Sequence, residues 1–179
     1  MSKDPHFLRQ RFAACTLLFC SCFFSCNKVA NVLQNLLSFD ISNTFSFAVP
    51  PASPVGQSIT AIVPIGVTND DLVRHQTTTS LVKTVKLSAL KFTPDDASFP
   101  MTNFDTLKIS VTKDGGASEL MLGSYIGKTD SYNLSNTDFV SYFKDSKTQF
   151  KTTVRLNAAP SKTINIRTDY TFTFTADPL

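Results

Sequence analysis

Residues 164–175 alternate in character. Ile164, Ile166, Thr168, Tyr170, Phe172 and Phe174 fall on one parity, and Thr171, Thr173 and Thr175 fall on the other. A helix would repeat its apolar positions every three or four residues. A period of two fits a strand with one dry face and one wet face. Such a strand cannot stand alone, so it demands a sheet and a second layer to cover its apolar side. The pattern recurs upstream. Phe39, Ile41, Phe45, Phe47 and Val49 alternate with Asp40, Ser42, Thr44, Ser46 and Ala48. Phe150, Thr152, Val154 and Leu156 share one parity, and Asn157-Ala158-Ala159-Pro160-Ser161 turns the chain before the last strand. The last two strands are therefore predicted to form an antiparallel hairpin.

Other segments extend the pattern. Ser58 to Ile65 forms a short strand that carries Pro64. Leu81, Val85 and Leu87 lead a long strand whose parity switches at Leu90 and Phe92, which predicts a bulge near Ser88-Ala89. Leu107, Ile109 and Val111 alternate with Lys108, Ser110 and Thr112. Asp114-Gly115-Gly116 then supplies the positive φ of a tight hairpin turn, and Leu120 to Ile126 returns. Tyr132 to Leu134 adds a short strand. Two short helices are expected. One starts at Thr68 or Asn69, with Asp70 and Asp71 in its first turn; the other follows Ser135-Asn136-Thr137-Asp138, which has capping-box spacing. Seven or so strands, short turns and no strand–helix–strand alternation predict an all-β chain. The form expected is an antiparallel Greek-key or immunoglobulin-like β-sandwich with one or two short helices, and an open barrel is the alternative.

The N-terminus has a different character. Lys3, Arg9 and Arg11 precede an apolar run from Phe12 to Phe24. The run is shorter than the roughly 20 residues a spanning helix needs and suits the core of an export signal. All four cysteines, Cys15, Cys20, Cys22 and Cys26, lie in this leader. Cys26 follows the small residue Ser25 and closes the apolar run; Cys22, after Ser21, is the weaker rival. Phe23-Phe24-Ser25-Cys26 resembles the lipobox that ends the leaders of bacterial lipoproteins, in a looser variant of the Gram-negative Bacteroidota type. Leu at the first position and a small residue at the second are the commoner choices. The resemblance covers about 26 residues. It implies a signal peptide at 1–25, a lipidated Cys26 and a membrane partner held through the N-terminal lipid. It also implies residence in the cell envelope, at the outer membrane. A plain cleaved signal and a greasy N-terminal helix on a non-exported chain are the competing readings. Within 26–38, Val29, Val32, Leu33, Leu36 and Leu37 make one helical stripe, read as a short tether helix before a β domain over 39–179.

Charge excludes some functions. The leader holds three of the 17 basic and one of the 14 acidic residues, so the remainder, with 14 and 13, is nearly neutral. No field strong enough to gather nucleic acid follows. No cofactor or metal signature is present: the leader takes every cysteine, and His75 is the one histidine beyond it. Asp95-Asp96 after Thr93-Pro94 reads as a turn rather than a calcium loop. Asp70, Asp71, Arg74 and His75 form the one acid–base cluster. On a helix Asp70 faces Arg74 and Asp71 faces His75, giving either a weak binding site or capping with surface ion pairs. With no nucleophile beside His75, the cluster completes no catalytic triad. The expectation is a non-enzymatic envelope module that meets an envelope protein or glycan. A surface adhesin or fimbrial-type subunit, with Ile164 to Phe174 as a strand that could be donated, is the alternative, and a hydrolase ranks last.

Overall fold

The computed structural model describes residues 37–113 and 118–177. The expectations for the signal 1–25, for Cys26, for the tether helix as far as residue 36 and for the turn at Asp114-Gly115-Gly116 lie outside the described residues. The elements run β1 Ser38–Val49, β2 Ser58–Pro64, α1 Asn69–Arg74, β3 Val82–Pro94, β4 Phe104–Lys113, β5 Ser118–Ile126, β6 Ser131–Leu134, α2 Val140–Phe143, β7 Gln149–Leu156 and β8 Ile164–Ala176. They build two sheets, ordered β1-β8-β3 and β2-β7-β4-β5-β6. Every pairing is antiparallel. The fold is the β-sandwich that the alternating segments require.

The strand order is a Greek key of nested pairs. β4 pairs with β5, β2 with β7 and β1 with β8, as though one long hairpin had been rolled up. Eight strands wound this way are a jelly roll. The remaining nested pair, β3 with β6, has no backbone ladder, because β6 pairs with β5. A side chain spans the gap instead. The Tyr132 hydroxyl accepts the Phe92 N–H at 3.0 Å, and its ring stacks on Phe92 with centroids 6.2 Å apart.

The hairpin expected between the last two strands does not form. β7 lies between β2 and β4, whereas β8 lies between β1 and β3. The Asn157–Pro160 turn carries the chain from one sheet to the other, with Pro160 accepting the Ala52 N–H and Asn157 donating to the Asn103 carbonyl. Alternation reports which face of a strand is dry; it does not say which strand lies beside it. The β4–β5 hairpin does form, from Lys113 opposite Ser118 to Thr106 opposite Ile126.

The core lies between the inward rows. Ile164, Ile166, Thr168, Tyr170, Phe172 and Phe174 are all buried, and their partners in β1 and β3 include Ile41, Phe47, Val85, Leu87 and Phe92. Phe150 from the opposite sheet meets Tyr170 edge-on at 5.1 Å and Phe172 at 5.9 Å. Phe139, just before α2, and Phe143, its last residue, close one end against Phe172 and Phe174. Each buried phenylalanine contributes about 2–3 kcal/mol through lost apolar exposure. The parity switch in β3 is a bulge, with the register shifting between Leu87 and Ala89. Leu81 belongs to a 3-10 turn, Thr79–Leu81, and the strand starts at Val82.

Two polar expectations differ from the structure. Ser135 and Asp138 make no capping box; α2 starts after Phe139 without a side-chain cap. Asp138 accepts N–H groups from Val85 and Val140, while Ser135 takes the Thr137 N–H. The short aspartate arm is drawn to the β3 edge rather than back to Ser135. Ser110 and Thr112, on the wet parity of β4, are buried. β4 lies in the middle of its sheet, where Glu119 and Lys151 meet at 2.6 Å and Glu119 also accepts the Ser110 hydroxyl.

Candidate functional site

The acid–base cluster folds as a helix with its ends tied. Thr68 is the N-cap of α1, and a capping box joins its backbone and side chain to Asp71. Asp71 accepts the Thr68 N–H at 2.8 Å and its hydroxyl at 2.7 Å. Those two bonds hold the Asp71 carboxyl below its ordinary range. At the other end, Thr77 N–H reaches the Leu72 carbonyl and Gln76 N–H the Val73 carbonyl, with Gln76 at φ 56°. That is a Schellman ending with a glutamine where glycine is usual. The turn lays His75 flat on Phe39, ring centroids 4.3 Å apart, and Phe39 in turn on Phe174.

The pairs expected along α1 are therefore absent. Among the described residues no ion pair joins Asp70 to Arg74, and Asp71 bonds Thr68 rather than His75. The reason is length: six helical residues leave Asp71 in the first turn, where the exposed N–H groups and the Thr68 hydroxyl are nearer than the His75 ring. A small cleft of about 150 Å³ beside α1 is lined by Thr68, Asn69, Leu72, Phe143 and Thr148, and none of Asp70, Asp71, Arg74 and His75 lines it. The four residues are brought together as a capped, stacked surface helix.

Asp95 and Asp96 are likewise committed to holding loops. Asp95 accepts the backbone and side-chain N–H groups of Asn165. Asp96 accepts the Ser98 hydroxyl and N–H and pairs with Lys162 at 3.0 Å; the Ser98 hydroxyl bond is the main cause of a pKa lowered to about 2. The tyrosines are also engaged. Tyr125 is fully buried and donates to Asp130 at 3.0 Å; burial first, then that bond, pushes its phenol up to about 12. Tyr142 shares a hydrogen bond with Ser118 and lies under the Lys113 ammonium.

The concavity with free chemistry lies elsewhere, on the outer face of the three-stranded sheet. A depression of about 500 Å³ is lined by Ser42 and Thr44 of β1, Arg167, Asp169 and Thr171 of β8, and Ala89 and Lys91 of β3, among others. Its shape follows from the sequence. The bulge turns both Ser88 and Ala89 outward, so β3 presents small side chains opposite Thr171, between Lys86 and Lys91. Arg167 and Lys91 form the walls. The floor is zipped by hydroxyls: Ser42 to Thr171 at 2.9 Å, Thr44 to the Thr168 carbonyl at 3.1 Å and Ser88 to the Thr171 carbonyl at 3.2 Å.

Charge in the depression is mixed. The Arg167 guanidinium holds Asp169 with two contacts of 2.8 Å, from Nε and from Nη2. Its remaining N–H groups face outward, since 63 % of the side chain is exposed. The Lys91 ammonium has no partner among the described residues. Hydroxyls, a forked guanidinium, a carboxylate and an ammonium thus share one open surface, and the one ring that borders it, Tyr170, is buried. Such a surface exchanges hydrogen bonds with a polar ligand. Sequence alone marked Thr171, Thr173 and Thr175 as outward and the bulge at Ser88-Ala89. It did not show that Arg167 and Lys91 flank that bulge, because the β3–β8 register is a tertiary fact.

No protein-family model matches this chain, and no curated protein matches it. Among solved structures it is similar to Turnip Yellow Mosaic Virus at 100 K, with 14% identity, a TM-score of 0.29, and coverage of 79% of this chain and 94% of that one. It is also similar to Desmodium yellow mottle tymovirus, with 13% identity, a TM-score of 0.26, and coverage of 79% and 90%. Likeness at these scores says nothing of what the chain does.

Proposed function

We propose that this protein is an exported lipoprotein of the cell envelope, anchored at the outer membrane through lipid on Cys26, whose β-sandwich is a non-enzymatic binding module. The observation that carries the binding part is the depression on the β1-β8-β3 face, where Arg167, Asp169, Lys91 and a floor of hydroxyls converge. The leader and its lipobox-like end support the address. A protein partner would be expected to meet an apolar centre with a polar rim. Apart from Ala89, the outward side chains of this depression are polar, which favours an envelope glycan as the ligand.

The fimbrial alternative draws less support. A strand that is donated must leave its own sheet, and β8 is hydrogen-bonded on both sides, to β1 along 12 residues and to β3. The hydrolase reading loses its acid–base pair, since Asp71 and His75 are engaged with Thr68 and Phe39.

Two measurements test the proposal. Intact-mass analysis of the native protein should find an N-terminal Cys26 carrying acyl chains; a chain that keeps Met1 and its leader overturns the anchoring. Immobilised envelope glycan should retain the wild-type protein, and a folded wild type that is never retained overturns the binding reading.

A further inference from the structure

Sheet edges expose unpaired N–H and C=O groups, and folded proteins guard them with charge, bulges or covering groups. Among the described residues, three of the four edges are guarded. On β3, the Val85 N–H goes to Asp138, the Val85 carbonyl accepts the Phe139 N–H, Tyr132 takes the Phe92 N–H, and a bulge interrupts the strand. On β1, Asn43 donates to the Gly66 carbonyl at 2.6 Å and accepts the Thr44 N–H. β6 is four residues long, too short to template a sheet.

The fourth edge, β2, is different. Ser58-Ile59-Thr60-Ala61-Ile62-Val63-Pro64 holds no charged residue, and it pairs with β7 through seven residues with no register shift. Its composition is β-branched and apolar, and Pro64 stands only at its end. On the outer face Ile62 is 50 % exposed. The nearest charges, Lys151 and Arg155 of β7, are neutralised by Glu119 at 2.6 Å and Asp105 at 3.4 Å.

We infer that β2 is the pairing edge for a second copy of this chain, joined antiparallel about a two-fold axis through Ile62. The occupant follows from the edge itself. Open backbone groups accept an extended strand, and a second β2 supplies one of equal length with no charge to oppose its twin. A two-fold axis perpendicular to the sheet keeps the outer faces together only if a residue meets one of its own parity. Centring on Ile62 sets it against the partner's Ile62, with Ala61 opposite the partner's Val63 and Thr60 opposite the partner's Pro64. The exposed isoleucine is then covered by its own copy, and the two five-stranded sheets become one. The five residues of each strand that face the other, Thr60 to Pro64, bury less than a standard interface of about 1,600 Å². The dimer is therefore reversible and concentration-dependent. This inference is independent of the polar face on the other sheet.

Cysteine substitution reads the register directly. Across the axis, the two residues at position 62 have Cα atoms about 5 Å apart, within the disulfide range. The two at position 60 are offset by four residues, about 14 Å, and cannot bridge. The full chain in detergent, oxidised at a concentration where wild type sediments above the monomer mass, should form a cross-linked dimer with Ile62→Cys. Thr60→Cys should stay at the wild-type background, which already contains the leader cysteines. Ile62→Lys should sediment as a folded monomer. A wild type that remains monomeric throughout overturns the inference. So does equal cross-linking at 60 and 62, or an Ile62→Lys variant that still dimerises.

Discussion

β8 has two faces built on opposite terms. Its inner row, Ile164 to Phe174, is buried among aromatic rings and makes almost no polar contact. Its outer row, Asn165 to Thr175, is held by hydroxyl, carboxylate and guanidinium bonds to β1, to β3 and Asp95 just beyond it, or along β8 itself. One strand thus carries both the stability and the proposed chemistry, segregated by parity. Inner positions tolerate few substitutions because volume is fixed there. Outer positions tolerate many, because each bond is worth little and water replaces it.

The difference can be broken most sharply from the inside. Phe172→Ala removes a fully buried ring that touches Phe139, Phe150, Tyr170 and Phe174, and should destabilise the domain by about 4 kcal/mol in chemical denaturation. Thr168 is the exception within that row, a fully buried threonine whose hydroxyl has no hydrogen-bond partner. Thr168→Val should therefore raise the stability by about 1 kcal/mol, visible as a higher midpoint in urea. A loss of similar size would mean that the hydroxyl is satisfied after all. On the outer row, Thr171→Ala breaks the bond to Ser42 and should cost only about 0.5 kcal/mol.

Acid sharpens the same contrast without mutation of the core. Asp96 is held down to about 2 from an ordinary 3.8 by its bonds to Ser98 and Lys162. A depressed carboxyl contributes stability above its unfolded pKa and loses it as pH falls through the folded value. The stabilisation is thus complete above about pH 4 and gone once the pH passes below about 2. Denaturation midpoints measured across that window should fall less steeply for Asp96→Asn than for wild type. Equal slopes would mean that the loop bonds are not formed in solution.

The sequence showed dryness well and neighbours poorly. β1, β4 and β8 were legible because the large apolar residues of each, in β4 from Leu107 on, keep to one parity, although Ser110 and Thr112 on the polar parity of β4 are buried as well. The β3 bulge was legible because its parity slips by one at Ser88. Strand pairing was not. Residues 150–156 and 164–174 look like a hairpin, yet they sit in different sheets, since nothing in a turn such as Asn157–Ser161 distinguishes a tight return from a crossing. The acid–base cluster misled for a related reason. Spacing on a helix puts Asp71 near His75, but a six-residue helix is dominated by its ends, and the capping bonds took the carboxylate first. The polar depression needed the β3–β8 register to bring Lys91 and Ala89 alongside Asp169 and Thr171, which no local pattern contains.

The smallest change in stability should accompany the largest change in function. Arg167→Ala combined with Lys91→Ala removes both walls of the depression, while each side chain is exposed and distant from the core. Binding to immobilised envelope glycan should be lost while the denaturation midpoint stays within about 0.5 kcal/mol of wild type. A doubly substituted protein that folds normally and still binds as the wild type does would contradict the assignment of this face.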